Sequence, residues 1–122
     1  ELGVPLMIHT GAGIPFSAPV QMMPGVEQYP DVPVIMAHAG GDLLFGETML
    51  LVRYPNVCFE PSWLGSLSTG RLLAEAGAER VLLSSDHASN LPTELAKYRS
   101  LAQGADLERI LGLNAAEVFG LD

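Results

Sequence analysis

Four short apolar segments recur along the chain and set its organisation. They read VPLMIH (4–9), VPVIMAH (32–38), NVCFEPS (56–62) and RVLLSSDH (80–87). None alternates cleanly between apolar and polar residues, and continuous apolar runs of this length are typical of parallel strands buried on both faces. We therefore predict four buried strands, with starting points 24 to 28 residues apart.

Helical patterns fill the intervals between these strands. Helices are predicted within residues 42–55, 66–81, 91–104 and 105–122, the last segment holding one or two short helices. Pro92 suits a first helical turn, Gly77 and Gly104 suit helix ends, and Asp106 suits an N-cap. Residues 10–31 are rich in proline and leave room for a loop with about two helical turns.

The alternation of strand and helix predicts a single α/β domain over residues 1–122 with parallel strands. Two architectures fit this order. A small doubly wound sheet binds its ligand near the carboxyl ends of the strands, and a (β/α)₈ barrel does so at its mouth but needs roughly 250 residues. No GxGxxG or P-loop pattern follows a strand, so a nucleotide-binding version has no support.

Composition and charge exclude several classes of partner. The net charge is −8, which disfavours nucleic acid and anionic membrane surfaces. No apolar run is long enough to span a bilayer, and no signal-peptide pattern is present. The single cysteine, Cys58, lies in an apolar run and is expected to be a buried small side chain in a reducing, cytoplasmic environment.

Histidines mark the ends of the predicted strands. His9 and His38 end the first and second apolar segments, and Asp86 with His87 ends the fourth. The carboxyl ends of parallel strands meet at one edge of a sheet, so these side chains are expected to lie close together. Two imidazoles and a carboxylate suit Zn²⁺ or a similar divalent metal, and a nearby carboxylate can accept a proton. We predict His9, His38 and Asp86 as metal ligands, with His87 beside them.

Each of these residues also has a purely structural interpretation. His9 and His38 could be core histidines with satisfied hydrogen bonds, and Asp86 could be a turn or N-cap residue. Glu60 ends the third apolar segment and is a weaker candidate ligand. Trp63, close behind it, could line a pocket or cover it.

Five motifs, taken together and in order, point to a known family. They are PLMIHTGAG, VPVIMAHAGG, YPNVCFEPS, RVLLSSDHAS and ILGLNAAEVFGLD. In this order the chain resembles the C-terminal half of the amidohydrolase-related (amidohydrolase 2) proteins. The branch it resembles contains metal-dependent TIM-barrel hydrolases and enzymes similar to aminocarboxymuconate-semialdehyde decarboxylase. The resemblance implies an α/β fold made of the four C-terminal βα units of a (β/α)₈ barrel, that is, a half barrel.

The resemblance also implies roles for individual residues. His9 matches the metal ligand of strand five, and Asp86 matches the strand-eight aspartate, a metal ligand and proton acceptor. His38 matches a histidine that contacts metal-bound water or substrate, so Asp86 and His38 are the implied catalytic residues. Asn114 and Ala115 match a structural helix motif. The implied activity is hydrolysis or decarboxylation of a small carboxylated or cyclic substrate, with a divalent metal, Zn²⁺ foremost.

The chain departs from the family pattern in two respects. His87 follows the aspartate where an aromatic or small residue is usual, and the HxH motif of strand one, which supplies two metal ligands, is absent. The chain opens without an initiator Met, so we expect it to be part of a longer protein and to have little activity alone.

A half barrel also leaves sheet edges and an apolar inner face to be covered. The expected cover is a missing N-terminal half barrel, a second copy in a homo-oligomer, or a rearrangement of the chain. The main alternative function is therefore a non-catalytic half barrel that self-associates. A weaker alternative is a self-contained doubly wound binding domain.

Overall fold

Three parallel strands form the sheet in the computed structural model, which describes residues 3–121. They are β1 (Leu6–His9), β2 (Val34–Ala37) and β3 (Val57–Glu60), hydrogen-bonded in the order β1-β2-β3. The register aligns His9 with Ala37 and Ala37 with Glu60, so the three strands end at one level. The predicted parallel arrangement is confirmed for these three segments.

The fourth apolar segment is paired over a shorter length than its sequence pattern predicts. Val81 forms a single parallel bridge with Phe59, and the Leu82 amide donates to the Phe59 carbonyl at 2.9 Å. The next amide, that of Leu83, points to the other side of the segment and donates to the carbonyl of Ile110 at 2.9 Å. The fourth segment therefore contributes a single bridge to the edge of β3, and its other side bonds to the C-terminal segment.

Helices occupy the predicted intervals. They are α1 (Met23–Gln28), α2 (Gly41–Leu51), α3 (Ser66–Ala76), α4 (Leu91–Leu101), α5 (Gly104–Glu108) and α6 (Asn114–Phe119). Short 3-10 turns lie at Pro19–Met22, His38–Gly40, Ala78–Arg80 and Ala88–Asn90, and a π-helical turn at Arg109–Leu113 joins α5 to α6.

The predicted helix ends are partly right. Gly77 follows α3 with φ 84°, and its amide caps the helix on the Leu73 carbonyl. Pro92 lies in the first turn of α4, as expected. The N-cap prediction for Asp106 is wrong, because α5 begins at Gly104 and Asp106 lies inside its first turn. An acidic side chain there still interacts favourably with the positive end of the helix dipole, so the same residue type suits either position.

The two faces of the sheet contact different parts of the chain, because successive side chains of a strand point to opposite faces. One face packs against the helices and forms the main core, with buried side chains from both: Val34, Met36, Val57, Phe59, Leu51, Leu72, Tyr98 and Ile110. The other face carries a smaller apolar cluster, Ile35, Cys58 and Leu82, against which Ala115 and Val118 pack. Helix α6 thus covers part of the face that would line a closed barrel.

Strand β1 is an open edge. Its outer side has no partner strand among the described residues, and Leu6 and Met7 are 51% and 52% exposed. Strands β2 and β3, by contrast, are buried along their whole length. Over residues 3–121, no helix combines the length and apolar character needed to cross a membrane.

Candidate active site

A cleft of about 390 Å³ lies at the carboxyl ends of the strands. His9, His38 and Asp86 all line it, and Trp63 adds an aromatic wall. The remaining lining residues come from the loop after β1, the turn after β2 and the start of α2: Thr10, Gly11, Ala12, Ile14, Gly40, Gly41, Asp42 and Leu43. The structure therefore brings the three predicted ligands to one cavity, while their chemical roles stay predictions.

His9 presents its side chain at the end of β1. It is exposed, which excludes a core-histidine interpretation. Its ring and that of His38 meet edge to face, with centroids 4.8 Å apart and planes at 67°. The two imidazoles are thus neighbours on adjacent strands.

His38 is held by buried polar groups. Its Nδ1 lies 2.8 Å from the Oγ of Ser62, and its backbone amide donates to Oε2 of Glu60 at 3.2 Å. The side chain is 17% exposed, so only part of the ring reaches the cleft. A histidine held in this way is fixed in orientation as well as in place.

The turn after β2 places His38 by means of an unusual backbone. Residues 38–41 all have positive φ, at 65°, 42°, 75° and 62°. Two threonines form hydrogen bonds with the backbone of this turn. Thr10 Oγ1 accepts from the Gly40 amide at 2.8 Å, and Thr48 Oγ1 donates to the Ala39 carbonyl at 2.7 Å. A Cβ on Gly40 would lie 2.7 Å from Thr48 Oγ1, so this position requires glycine.

Glu60 lies behind the cleft and does not line it. Its carboxylate is 3% exposed and accepts three hydrogen bonds, from the His38 amide, the Ser62 amide (2.8 Å) and the Ser62 hydroxyl (3.1 Å). Burial raises the pKa of Glu60, opposed by these hydrogen bonds. The sequence suggested Glu60 as a weak candidate ligand, and its contacts instead make it a support for His38.

Asp86 lines the cleft from the loop after the fourth apolar segment, with φ 59°. Its Oδ2 accepts a hydrogen bond from Trp63 Nε1 at 3.0 Å and lies 3.7 Å from Nε2 of His87. Its side chain caps neither the following 3-10 turn nor α4, so the N-cap interpretation is not supported. His87 is 71% exposed and is not among the cleft-lining residues.

A buried ion pair fixes the loop that carries Trp63. Lys97 of α4 pairs with Glu94 at 2.5 Å, and its ammonium also donates to the carbonyls of Pro61 and Leu64 at 2.8 and 3.0 Å. Glu94 Oε1 accepts the backbone N–H of Trp63 at 3.1 Å. Sequence reasoning missed this pair, because a Glu and a Lys three residues apart on a helix look like an ordinary surface pair.

The donor types in the cleft suit a borderline divalent metal, but the described residues do not complete a shell. Within residues 3–121, no three side chains of His, Cys, Asp or Glu converge closely enough to hold a metal ion. The rings of His9 and His38 are adjacent, whereas Asp86 has one carboxylate oxygen bonded to Trp63. The described residues therefore match a divalent metal site in donor type but do not form a complete set of ligands.

Comparison with known proteins identifies the family. The amidohydrolase family model matches residues 1–121. The chain belongs to the amidohydrolase family. Amidohydrolases are generally metal-dependent, which agrees with the donor types in the cleft. A search of curated proteins gave no match.

The amidohydrolase assignment agrees with the fold. The structure is similar to an uncharacterized TIM-barrel protein, Bb4693 from Bordetella bronchiseptica, with a TM-score of 0.77 at 20% sequence identity. The match covers 95% of this chain and 45% of that protein, so this chain spans less than half of its length. The predicted α/β partial barrel is confirmed.

Proposed function

We propose that this chain provides part of the active site of a metal-dependent hydrolase that acts on a small carboxylated or cyclic substrate. The observation that carries the proposal is the placement of His9, His38 and Asp86 along one cleft at the carboxyl ends of parallel strands. That edge is where catalytic residues lie in barrels of this kind. Membership of the amidohydrolase family supports the reaction class.

Each residue has a distinct part in this proposal. His9 and Asp86 would bind the metal, with His38 as a further ligand or as the group that contacts substrate. A divalent cation, Zn²⁺ foremost, would act as a Lewis acid that polarises a carbonyl and acidifies water. Asp86 would accept the proton, and Trp63, bonded to Oδ2, would hold its carboxylate in a fixed orientation.

The remaining metal ligands would come from a preceding half barrel, with this chain as the C-terminal half. Two observations support this arrangement: the described donors do not complete a shell, and the chain spans 45% of its structural neighbour. A decarboxylase is a variant of the same proposal, because the same residues could bind and orient a carboxylated substrate. The location we propose is the cytoplasm.

A second candidate is a non-catalytic half barrel that self-associates. The exposed apolar edge at β1 favours it, because unpaired edge strands with apolar side chains pair with other chains. Light scattering of the purified protein tests this candidate. A metal-free dimer or larger homo-oligomer would support it, and a folded monomer would contradict it.

The first proposal is tested by measuring metal content and hydrolysis on the same preparation of the protein, expressed from its native gene. We expect bound zinc by elemental analysis and chelator-sensitive hydrolysis across a panel of carboxylated esters, lactones and amides. His9→Gln and Asp86→Asn should each reduce zinc content and hydrolysis about tenfold or more, since even supporting residues of metal sites contribute this much. Asp106→Asn, at an exposed position of α5 outside the cleft, is the control and should change neither. Equal losses in all three variants, or activity indifferent to chelator, would refute the proposal.

A further inference from the structure

Three side chains form a connected row beneath the cleft. Glu60 Oε2 lies 3.1 Å from Ser62 Oγ, and Ser62 Oγ lies 2.8 Å from Nδ1 of His38. Glu60 and Ser62 are 3% and 0% exposed, so water does not compete for these contacts. The direction in which hydrogen is donated along the row then decides which ring nitrogen of His38 carries the proton.

The Ser62 hydroxyl has only one hydrogen to give. An ionised carboxylate only accepts, so the hydroxyl donates to Glu60 and its oxygen is left to accept. Nδ1 of His38 must then be the donor to Ser62 Oγ. The neutral ring consequently carries its hydrogen on Nδ1 and a lone pair on Nε2.

The hydrogen-bond donors around Glu60 match a carboxylate that only accepts. One oxygen faces the backbone N–H of Ser62 at 2.8 Å, and the other faces the backbone N–H of His38 at 3.2 Å. A carboxylic acid would place its hydroxyl oxygen, a poor acceptor, against one of these donors. A protonated Glu60 would also reverse the row, with Glu60 donating to Ser62 and Ser62 donating to Nδ1.

We propose that Glu60 and Ser62 are positioning residues that hold His38 as the Nδ1–H tautomer, so that Nε2 offers its lone pair to the cleft. The Nδ1 edge of the ring faces buried Ser62, which leaves the edge carrying Nε2 on the side of the cleft. A lone pair at that position is what a metal ligand or a proton acceptor needs. The use of this lone pair rests on the proposed function, whereas the tautomer does not.

Nitrogen NMR of ¹⁵N-histidine-labelled protein tests the proposal in the presence of a chelator. The chain has three histidines, so His9→Gln and His87→Gln assign the His38 signals by difference. At a pH where the spectra show neutral rings, we expect a protonated (pyrrole-type) Nδ1 and an unprotonated (pyridine-type) Nε2 for His38. A protonated Nε2 in the wild-type protein would overturn the proposal.

Variants of Ser62 distinguish control of the His38 tautomer from a merely structural role. Ser62→Ala removes the acceptor of Nδ1–H, and the His38 signals should shift toward the Nε2–H tautomer. Ser62→Thr keeps the hydroxyl and should restore the wild-type pattern, and Ser66→Ala, at the start of α3, is the control. An unchanged tautomer in Ser62→Ala would contradict the proposal. Because the measurement needs neither metal nor substrate, its failure is distinguishable from a failure of the proposed hydrolase function.

Discussion

Replacing Lys97 with Met tests the claim that a buried ion pair fixes one wall of the cleft. The ammonium of Lys97 forms an ion pair with the Glu94 carboxylate and donates to the carbonyls of Pro61 and Leu64. Lys97→Met keeps the aliphatic bulk but leaves the Glu94 carboxylate, 3% exposed, without its cation. Removing one partner of a buried pair costs about 3–5 kcal/mol.

A loss of this size is large for a small domain, whose free energy of unfolding is typically about 5–15 kcal/mol. In urea, where the denaturant slope of small proteins is about 1–3 kcal/mol per molar, the midpoint should fall by about 2 M. Far-UV circular dichroism reports the unfolding of the helices, and the fluorescence of Trp63, the single tryptophan of the chain, reports unfolding at the cleft. Coincident transitions would show that unfolding is two-state.

Arg109→Met is the matched control for Lys97→Met. Arg109 pairs with Glu117 at 3.5 Å, with both side chains substantially exposed, and its loss should cost less than about 1 kcal/mol. In the double variant Lys97→Met/Glu94→Leu, the cost should fall below the sum of the single variants by about 0.5–3 kcal/mol. Equal costs for Lys97→Met and Arg109→Met would refute the reasoning.

Two further predictions concern a crowded glycine in the turn after β2 and a side-chain amide near the end of the chain. Gly40→Ala should destabilise the fold by more than about 2 kcal/mol, because its Cβ would meet Thr48 and Pro19. Gly120→Ala, also at positive φ but in open space, should cost only about 1 kcal/mol, and similar midpoint losses in thermal melts would contradict the steric argument. Asn114→Ala should cost about 2–3 kcal/mol, because its Nδ2 donates to two carbonyls at 2.7 and 2.8 Å, and urea titration measures this. Zinc content should not change in Asn114→Ala, whereas a loss of zinc at preserved stability would contradict a structural role.

The sequence pattern predicts the framework because that framework depends on local signals. Continuous apolar runs mark β2 and β3, and the strand-end positions of His9 and His38 follow from the rule that parallel strands end at one edge. The fourth segment looked like a full strand because Val81, Leu82 and Leu83 are all apolar. Its pairing with β3 is limited to one bridge, and no pattern in residues 80–87 marks where that pairing stops.

Parts of the candidate site were beyond sequence reasoning for a related reason. The two carbonyls that accept from Lys97 lie 33 and 36 residues earlier in the chain, and backbone carbonyls leave no mark in a sequence. The hydrogen bond from Trp63 to Asp86 likewise depends on how two loops meet. Ser62, in contrast, could have been singled out, because a Glu and a Ser two residues apart at a strand end can hydrogen-bond each other.

The left-handed turn at residues 38–41 has a consequence for protein engineering. A non-glycine residue in this conformation costs roughly 1–2 kcal/mol, and His38 is one of two such residues in the turn. Laboratory evolution for heat resistance alone would therefore favour glycine or asparagine at position 38 and would remove the imidazole from the cleft. If His38 has the proposed role, selection for stability and selection for activity act in opposite directions at this position, and a library screened for both should retain histidine.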